Sequence, residues 1–173
     1  MENKTNGEVT VTEMPAMVVA SCFSTGRNPE AEVIRYMEGW ANRNWLDYSK
    51  LRKFGFDIPV SEEQRKYGLR SFEYWVMVPE NIPASDGIKI KHIEKSIYAV
   101  YRINNPYNDP ATAIQAGWRM LREWAEKYKA KKEKVAAGID DDELPEEEEE
   151  NYMLEEIVET NDGICLDLYF PLG

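Results

Sequence analysis

The chain reads as an α+β fold in which the order strand–helix–strand–strand occurs twice. Three observations carry this. Asn28-Pro29-Glu30 and Asp109-Pro110-Ala111 share one helix-start signature: a capping residue, then proline at the first helical position, where its missing N–H costs nothing. Apolar residues at helical spacing follow each start. Runs rich in aromatic and β-branched residues flank both, at 72–79, 96–103, 152–158 and 164–170. Helices gathered on one face of an antiparallel sheet satisfy this order. The other sheet face is left free, and two such units side by side would enclose a groove.

Residues 9–12 and 17–23 read as extended segments interrupted at Pro15, which is tolerated at an edge or bulge. Val33, Ile34, Met37, Trp40 and Ala41 give the first helix one apolar face. Residues 44–70 read as irregular and contain Phe54-Gly55-Phe56-Asp57-Ile58-Pro59. The strand at 72–79 follows, and 88–93 reads as its paired strand after the turn residues Ser85-Asp86-Gly87. The order then repeats. The second helix buries Ala113, Ile114, Gly117, Trp118, Leu121, Trp124 and Ala125, and ends in lysines that suit the helix dipole. An acidic linker at about 138–151 leads to the last two strands, joined by Asn161-Asp162-Gly163. This gives one domain over 1–173, with module one at about 8–94 and module two at about 95–173.

The net charge is −11, which argues against direct nucleic-acid binding, since phosphate contacts need a basic surface. Much of the excess sits in Asp140-Asp141-Asp142-Glu143-Leu144-Pro145 and the five glutamates after it. Such runs are ordinarily solvated, although this one could serve a protein partner. No apolar stretch of about 20 residues is present, so no membrane span is expected. The N-terminus lacks the basic start and apolar run of a signal peptide. Cys22 and Cys165 lie in apolar runs and read as buried free thiols of a cytoplasmic protein. One histidine and two cysteines make an ordinary zinc site improbable; no metal or organic cofactor is expected. His92 has no nearby serine or cysteine partner that would make a triad.

Several strands carry an acid among rings. Glu73 shares a pleat face with Trp75 and Met77. Glu155 shares one with Met153 and Ile157, Glu156 one with Leu154 and Val158, and Asp167 one with Tyr169. The alternative to a pocket is a solvated outer face, or, for Glu73, neutralisation by Lys89 or Lys91. Leu166, Leu168 and Phe170 should face the helices, which aims Asp167 and Tyr169 at the groove or at solvent.

The chain resembles the GyrI-like small-molecule-binding family, which also forms the effector-binding domain of AraC-type and MerR-type multidrug regulators. The resemblance covers nearly the whole chain. It rests on Arg52-Lys53-Phe54-Gly55-Phe56-Asp57-Ile58-Pro59, on Tyr67-Gly68 followed by residues 72–79, and on Tyr98-Ala99-Val100. It continues through Ala113-Ile114, Gly117-Trp118, Leu121 to Trp124, Leu154-Glu155-Glu156 and Leu168-Tyr169-Phe170-Pro171-Leu172. It implies two modules related by a pseudo-twofold axis and a central aromatic-lined pocket holding a glutamate. In the drug-sensing regulators that glutamate pairs with lipophilic cations; some stand-alone members are similar to hydrolases of strained cyclopropane-type rings, and others bind protein partners. A strand-like run is already under way by Met17, so no helix-turn-helix is expected before it.

The resemblance favours Glu155 as the pocket acid, with Glu156 the alternative. A carboxyl group buried among rings is pushed toward its neutral form unless a cation restores the charge. A flat aromatic cation would gain stacking, cation–π attraction and an ion pair together. The expected ligand is therefore aromatic and cationic or amphipathic, held by Glu155 or Glu156, Glu73, Trp75, Tyr98, Asp167, Tyr169 and, at the rim, Trp40. In the hydrolase alternative Glu155 and Tyr98 would transfer protons. Under the repeat, Glu73 and Glu155 are expected at equivalent positions.

Overall fold

A computed structural model describes residues 8–85, 87–106, 108–136, 152–161 and 163–172. The acidic run at 140–150 lies outside the described residues. The fold is α+β, with antiparallel strands and few helices, and it divides into two compact units.

One unit spans Pro15–Lys95. Its sheet holds β2 (Met17–Gly26), β3 (Lys53–Ile58), β4 (Arg70–Met77) and β5 (Lys89–Ile93). β4 pairs with both β3 and β2, and β5 pairs with the other side of β2, all antiparallel. The helix α1 (Pro29–Arg43) covers one face, burying Val33, Met37, Trp40 and Ala41 against Val18, Ala20, Cys22, Tyr74 and Val76. Its proline start is as expected, and Glu30 and Glu32 sit in the first turn, where carboxylates suit the positive end of the helix dipole. The short helix α2 (Glu62–Lys66) is held by a reciprocal cap, Ser61 and Gln64 each bonding the other's backbone N–H.

Residues 44–70 are thus more ordered than their composition signals. Gly55, Asp57 and Pro59 dilute the strand pattern of β3, and its pairing with β4 overrides that weakness. A second difference concerns residues 88–93. The turn before them reads as a hairpin back to the preceding strand, yet β5 pairs with β2 and forms the outer edge.

The other unit comprises Met1–Met14 and Ser96–Gly173. Its sheet holds β1 (Val9–Met14), β6 (Ser96–Asn104), β7 (Leu154–Thr160) and β8 (Gly163–Pro171). β8 pairs with β7 and β6, and β1 pairs with the other side of β6. The sequence reading puts residues 8–14 with the first module; the β1–β6 ladder puts them with the second. Helix α3 (Pro110–Ala136) lies against Ala99, Ile103, Leu166 and Leu168 through Leu121, Trp118 and Trp124. Gly117 allows the close approach, since a Cβ there would fall 2.8 Å from a methyl of Leu168.

The two units share one internal topology. Aligning strands by their pairing makes β2 equivalent to β6, β3 to β7, β4 to β8 and the edge strand β5 to β1. The helix follows the same strand in each. Among the described residues no helix is long and apolar enough to cross a membrane.

Candidate functional site

The acids among the aromatics sort by pleat parity. In the second unit Leu166 and Leu168 face α3, so Asp167 and Tyr169 face the opposite way. Glu156 stands opposite Asp167 on the neighbouring strand, and Glu155 opposite Leu168. Glu156 therefore joins Tyr169, whereas Glu155 lies on the helix side. There Trp118 Nε1 is 3.4 Å from Glu155 Oε1. Of the two candidate acids, Glu156 shares the face of Tyr169 and Asp167, and Glu155 shares the face of Leu168. The resemblance had favoured Glu155, and period-two alternation alone could not say which neighbour turned toward the helix.

Glu156, Asp167, Tyr98 and Tyr169 are all buried. The Tyr169 hydroxyl donates to Glu156 Oε1 at 2.7 Å. Tyr98 meets the Tyr169 ring edge to face, with centroids 5.8 Å apart and planes at 85°. Burial raises the Tyr98 pKa above the ordinary phenol value. Asp167 is held by a two-point fork, Arg102 Nε to Oδ1 at 2.7 Å and Nη2 to Oδ2 at 2.9 Å. The sequence reading missed Arg102. Its signal was parity: in the run from Tyr98 it falls on the same face, four residues on.

In the first unit Glu73 accepts from Trp75 Nε1 at 2.6 Å and from Lys91 Nζ at 2.9 Å. Lys91 was one of the two lysines expected as a neutralising partner. Trp75 is fully buried and Phe56 meets it edge to face, with centroids 5.1 Å apart. Trp40 lies elsewhere: it is buried in the cluster under α1 and donates to Ser85 Oγ at 2.9 Å.

The repeat changes which residues correspond. With the strands aligned, Trp75 falls at the position of Tyr169, Glu73 at that of Asp167, and Phe56 at that of Glu156. Glu73 and Glu155 are not equivalents; Glu73 stands on β4, and the counterpart of β4 is β8. Each equivalent acid, Glu73 and Asp167, has a basic partner in its own sheet. Where one unit has Phe56 against an indole, the other has Glu156 against a phenol.

Both cysteines are free and buried. Cys22 Sγ lies 3.8 Å from the Val33 carbonyl, and burial, reinforced by the charge of Glu73, pushes its thiol up to about 12. Among the described residues no three histidine, cysteine or carboxylate side chains cluster as metal ligands.

No family model matches the chain, and no curated protein matches it. Solved structures do. It aligns over 95% of its length with the EcmrR C-terminal domain, covering 96% of that chain at 13% identity and a TM-score of 0.60. EcmrR bound to DNA in a complex termed EcmrR-RPo aligns at 12% identity and a TM-score of 0.61; the chain spans 56% of that longer protein. A hydrolase from Listeria innocua aligns over 98% of the chain and 93% of its own length, at 8% identity and a TM-score of 0.53. At these identities the likeness is one of fold: the chain has the fold of the EcmrR C-terminal domain.

Proposed function

We propose that the chain binds a flat aromatic molecule of cationic or amphipathic character, with Glu156 as the acid that meets it and Tyr98 and Tyr169 as the rings beside it. The observation that carries this reading is a buried glutamate held by a phenol within an aromatic pair. A ligand cation beside Glu156 would gain a partly desolvated ion pair and the negative faces of the rings together. The fold shared with the C-terminal domain of EcmrR supports the reading. The acid of the other unit, Glu73, is already neutralised by Lys91. Since Tyr98, Glu156 and Tyr169 are closed to solvent in the free chain, binding includes an opening step, and association is slower than diffusion allows. Fluorescence titration with planar mono- and dicationic dyes, on wild type and Glu156→Gln, tests this. Saturable binding that the substitution weakens supports it; a panel that fails to bind, or that binds both proteins alike, refutes it.

One observation favours a second reading. A carboxylate and a phenol in hydrogen-bond contact form a proton-transfer pair, and a hydrolase shares the fold. On this reading Glu156 and Tyr169, with Tyr98 beside them, would act on a strained-ring electrophile. Mass spectrometry of such compounds after incubation would show ring-opened product; turnover no faster than in buffer would exclude it.

A further inference from the structure

The outward side of α1 and the turn that ends it combine three features that folding alone does not call for. The first is Trp45. After α1 ends, Leu46 N–H bonds the Ala41 carbonyl at 3.0 Å and Trp45 N–H bonds that of Asn42 at 3.2 Å. This closing turn needs a left-handed residue, and glycine ordinarily supplies it. Trp45 occupies the position at φ 61° and is 95% exposed. A bulky residue is strained there, and an indole in water returns nothing to the fold.

The second feature is a groove of about 370 Å³ lined by Glu32, Arg35, Tyr36, Gly39 and Arg43. Arg35, Gly39 and Arg43 are successive members of one i, i+4 row, so the glycine leaves a gap between two guanidinium groups. The Arg43 guanidinium reaches over that gap: a Cβ on Gly39 would be 3.3 Å from its Nη1. A mid-helix glycine weakens α1, and here its effect is to open the groove. The third feature is composition. Tryptophan, tyrosine and arginine are the residue types that dominate binding energy at protein interfaces. Here Tyr36 is 45% exposed and Trp45 follows Arg43 by two residues. On a chain of net charge −11, two arginines flanking a groove select for negative charge. Glu32, whose carboxylate accepts from the Ser24 hydroxyl, fixes the acidic end of the groove.

We propose that this groove on α1, together with the turn that ends the helix, docks an acidic, aromatic-containing segment of a partner protein, whose carboxylates meet Arg35 and Arg43 and whose apolar side chains meet Tyr36 and Trp45. The test uses the full chain and a fluorescein-labelled peptide of alternating glutamate and phenylalanine, with a lysine–phenylalanine peptide as control, read by anisotropy at low and high salt. The acidic peptide is expected to bind, more weakly as salt rises. Arg35→Glu with Arg43→Glu should weaken it by about tenfold or more. Trp45→Gly should also weaken it, while raising the melting temperature because glycine relieves the strain. Failure of the acidic peptide to bind overturns the proposal, as does equal binding of the lysine peptide or of the double arginine variant. A lower melting temperature for Trp45→Gly would make Trp45 part of the fold and overturn it too. If circular dichroism shows the charge-reversed variant unfolded, Arg35→Gln with Arg43→Gln replaces it, and undiminished binding there is equally decisive.

Discussion

Tyr169 donates its phenolic proton to Glu156 at 2.7 Å, and both side chains are nearly sealed from water. A buried donor–acceptor pair of this kind is costly to break from one side. A hydrogen bond to a charged group contributes about 1.5–3 kcal/mol, and deleting the phenolic hydroxyl removes it. Tyr169→Phe should therefore lower stability by about 1.5–3 kcal/mol in urea unfolding. Glu156→Gln keeps an acceptor oxygen for the phenol and should cost about 1 kcal/mol or less, while weakening dye binding by about tenfold, near 1.4 kcal/mol. The two variants separate roles. If Glu156→Gln unfolds the chain as readily as Tyr169→Phe, the charge serves structure and not ligand binding.

The fork between Arg102 and Asp167 makes a different prediction. The Asp167 side chain is 6% exposed and that of Arg102 is 21% exposed. Truncating the arginine alone, as in Arg102→Met, strands a buried carboxylate and should cost about 3–5 kcal/mol. Arg102→Met with Asp167→Leu removes both charges and should recover most of that loss, since an apolar pair of similar volume often matches a buried ion pair. The urea midpoints of the two single variants, the double variant and wild type form a closed cycle. Additive losses would mean that the fork contributes no coupling.

The fold class, the two proline-started helices and the faces of Leu166, Leu168, Asp167 and Tyr169 follow from local signals that tertiary structure leaves intact: proline at a helix start, period-four apolar rows and strict alternation. What needed the structure was pairing. The strand at β3 is six residues with an internal glycine and an aspartate, and nothing local distinguishes it from a loop until β4 is known to lie beside it. The same holds for the equivalence of Glu73 with Asp167, which is a statement about register and not about residue type. Glu155 and Glu156 are chemically identical neighbours. Only the ladder with Leu168 and Asp167 separates them.

Alkaline pH offers a check on the core under α1. The Cys22 thiol is pushed from 9.0 up to about 12 by burial and, second, by Glu73. Between those values the unfolded chain releases this proton and the folded chain keeps it, so stability falls as pH rises through that window and is fully present below about 9. Tyr74, raised by burial and by its 2.6 Å contact with the Tyr48 hydroxyl, adds a decline that begins near the ordinary phenol value of 10.0. Tyr48 and Tyr98, both raised by burial, act in the same direction. Urea midpoints should be flat to about pH 9 and then drop with increasing slope. Cys22→Ala should delay the onset to about pH 10 and leave the tyrosine part. Superimposable curves for the two proteins would show that the thiol does not titrate with unfolding.

Gly55 tests the packing between β3 and β4. A glycine inside a strand ordinarily weakens it by about 0.5–1 kcal/mol relative to alanine, so Gly55→Ala would stabilise an open site. This site is closed: a Cβ would fall 2.2 Å from Phe72 Cζ and 2.7 Å from Cε1. Phe72 is itself buried within the α1 core cluster. The ring must shift within a packed core, so overpacking should win and Gly55→Ala should lose about 1–3 kcal/mol. Shortening the ring supplies the control. Phe72→Leu alone leaves a void and destabilises, but in the Gly55→Ala background the new methyl enters that void. The double variant should then be more stable than the sum of the single losses by an amount near 1 kcal/mol, within the range for contacting residues. Phe56, next to Gly55 in sequence, meets the Trp75 ring at 5.1 Å, so the near-ultraviolet circular dichroism of the Gly55→Ala variant should change with the stability and revert in the double variant. If stability falls while that signal stays fixed, the strain is absorbed on the helix side and the aromatic wall of Trp75 and Phe56 is independent of Gly55.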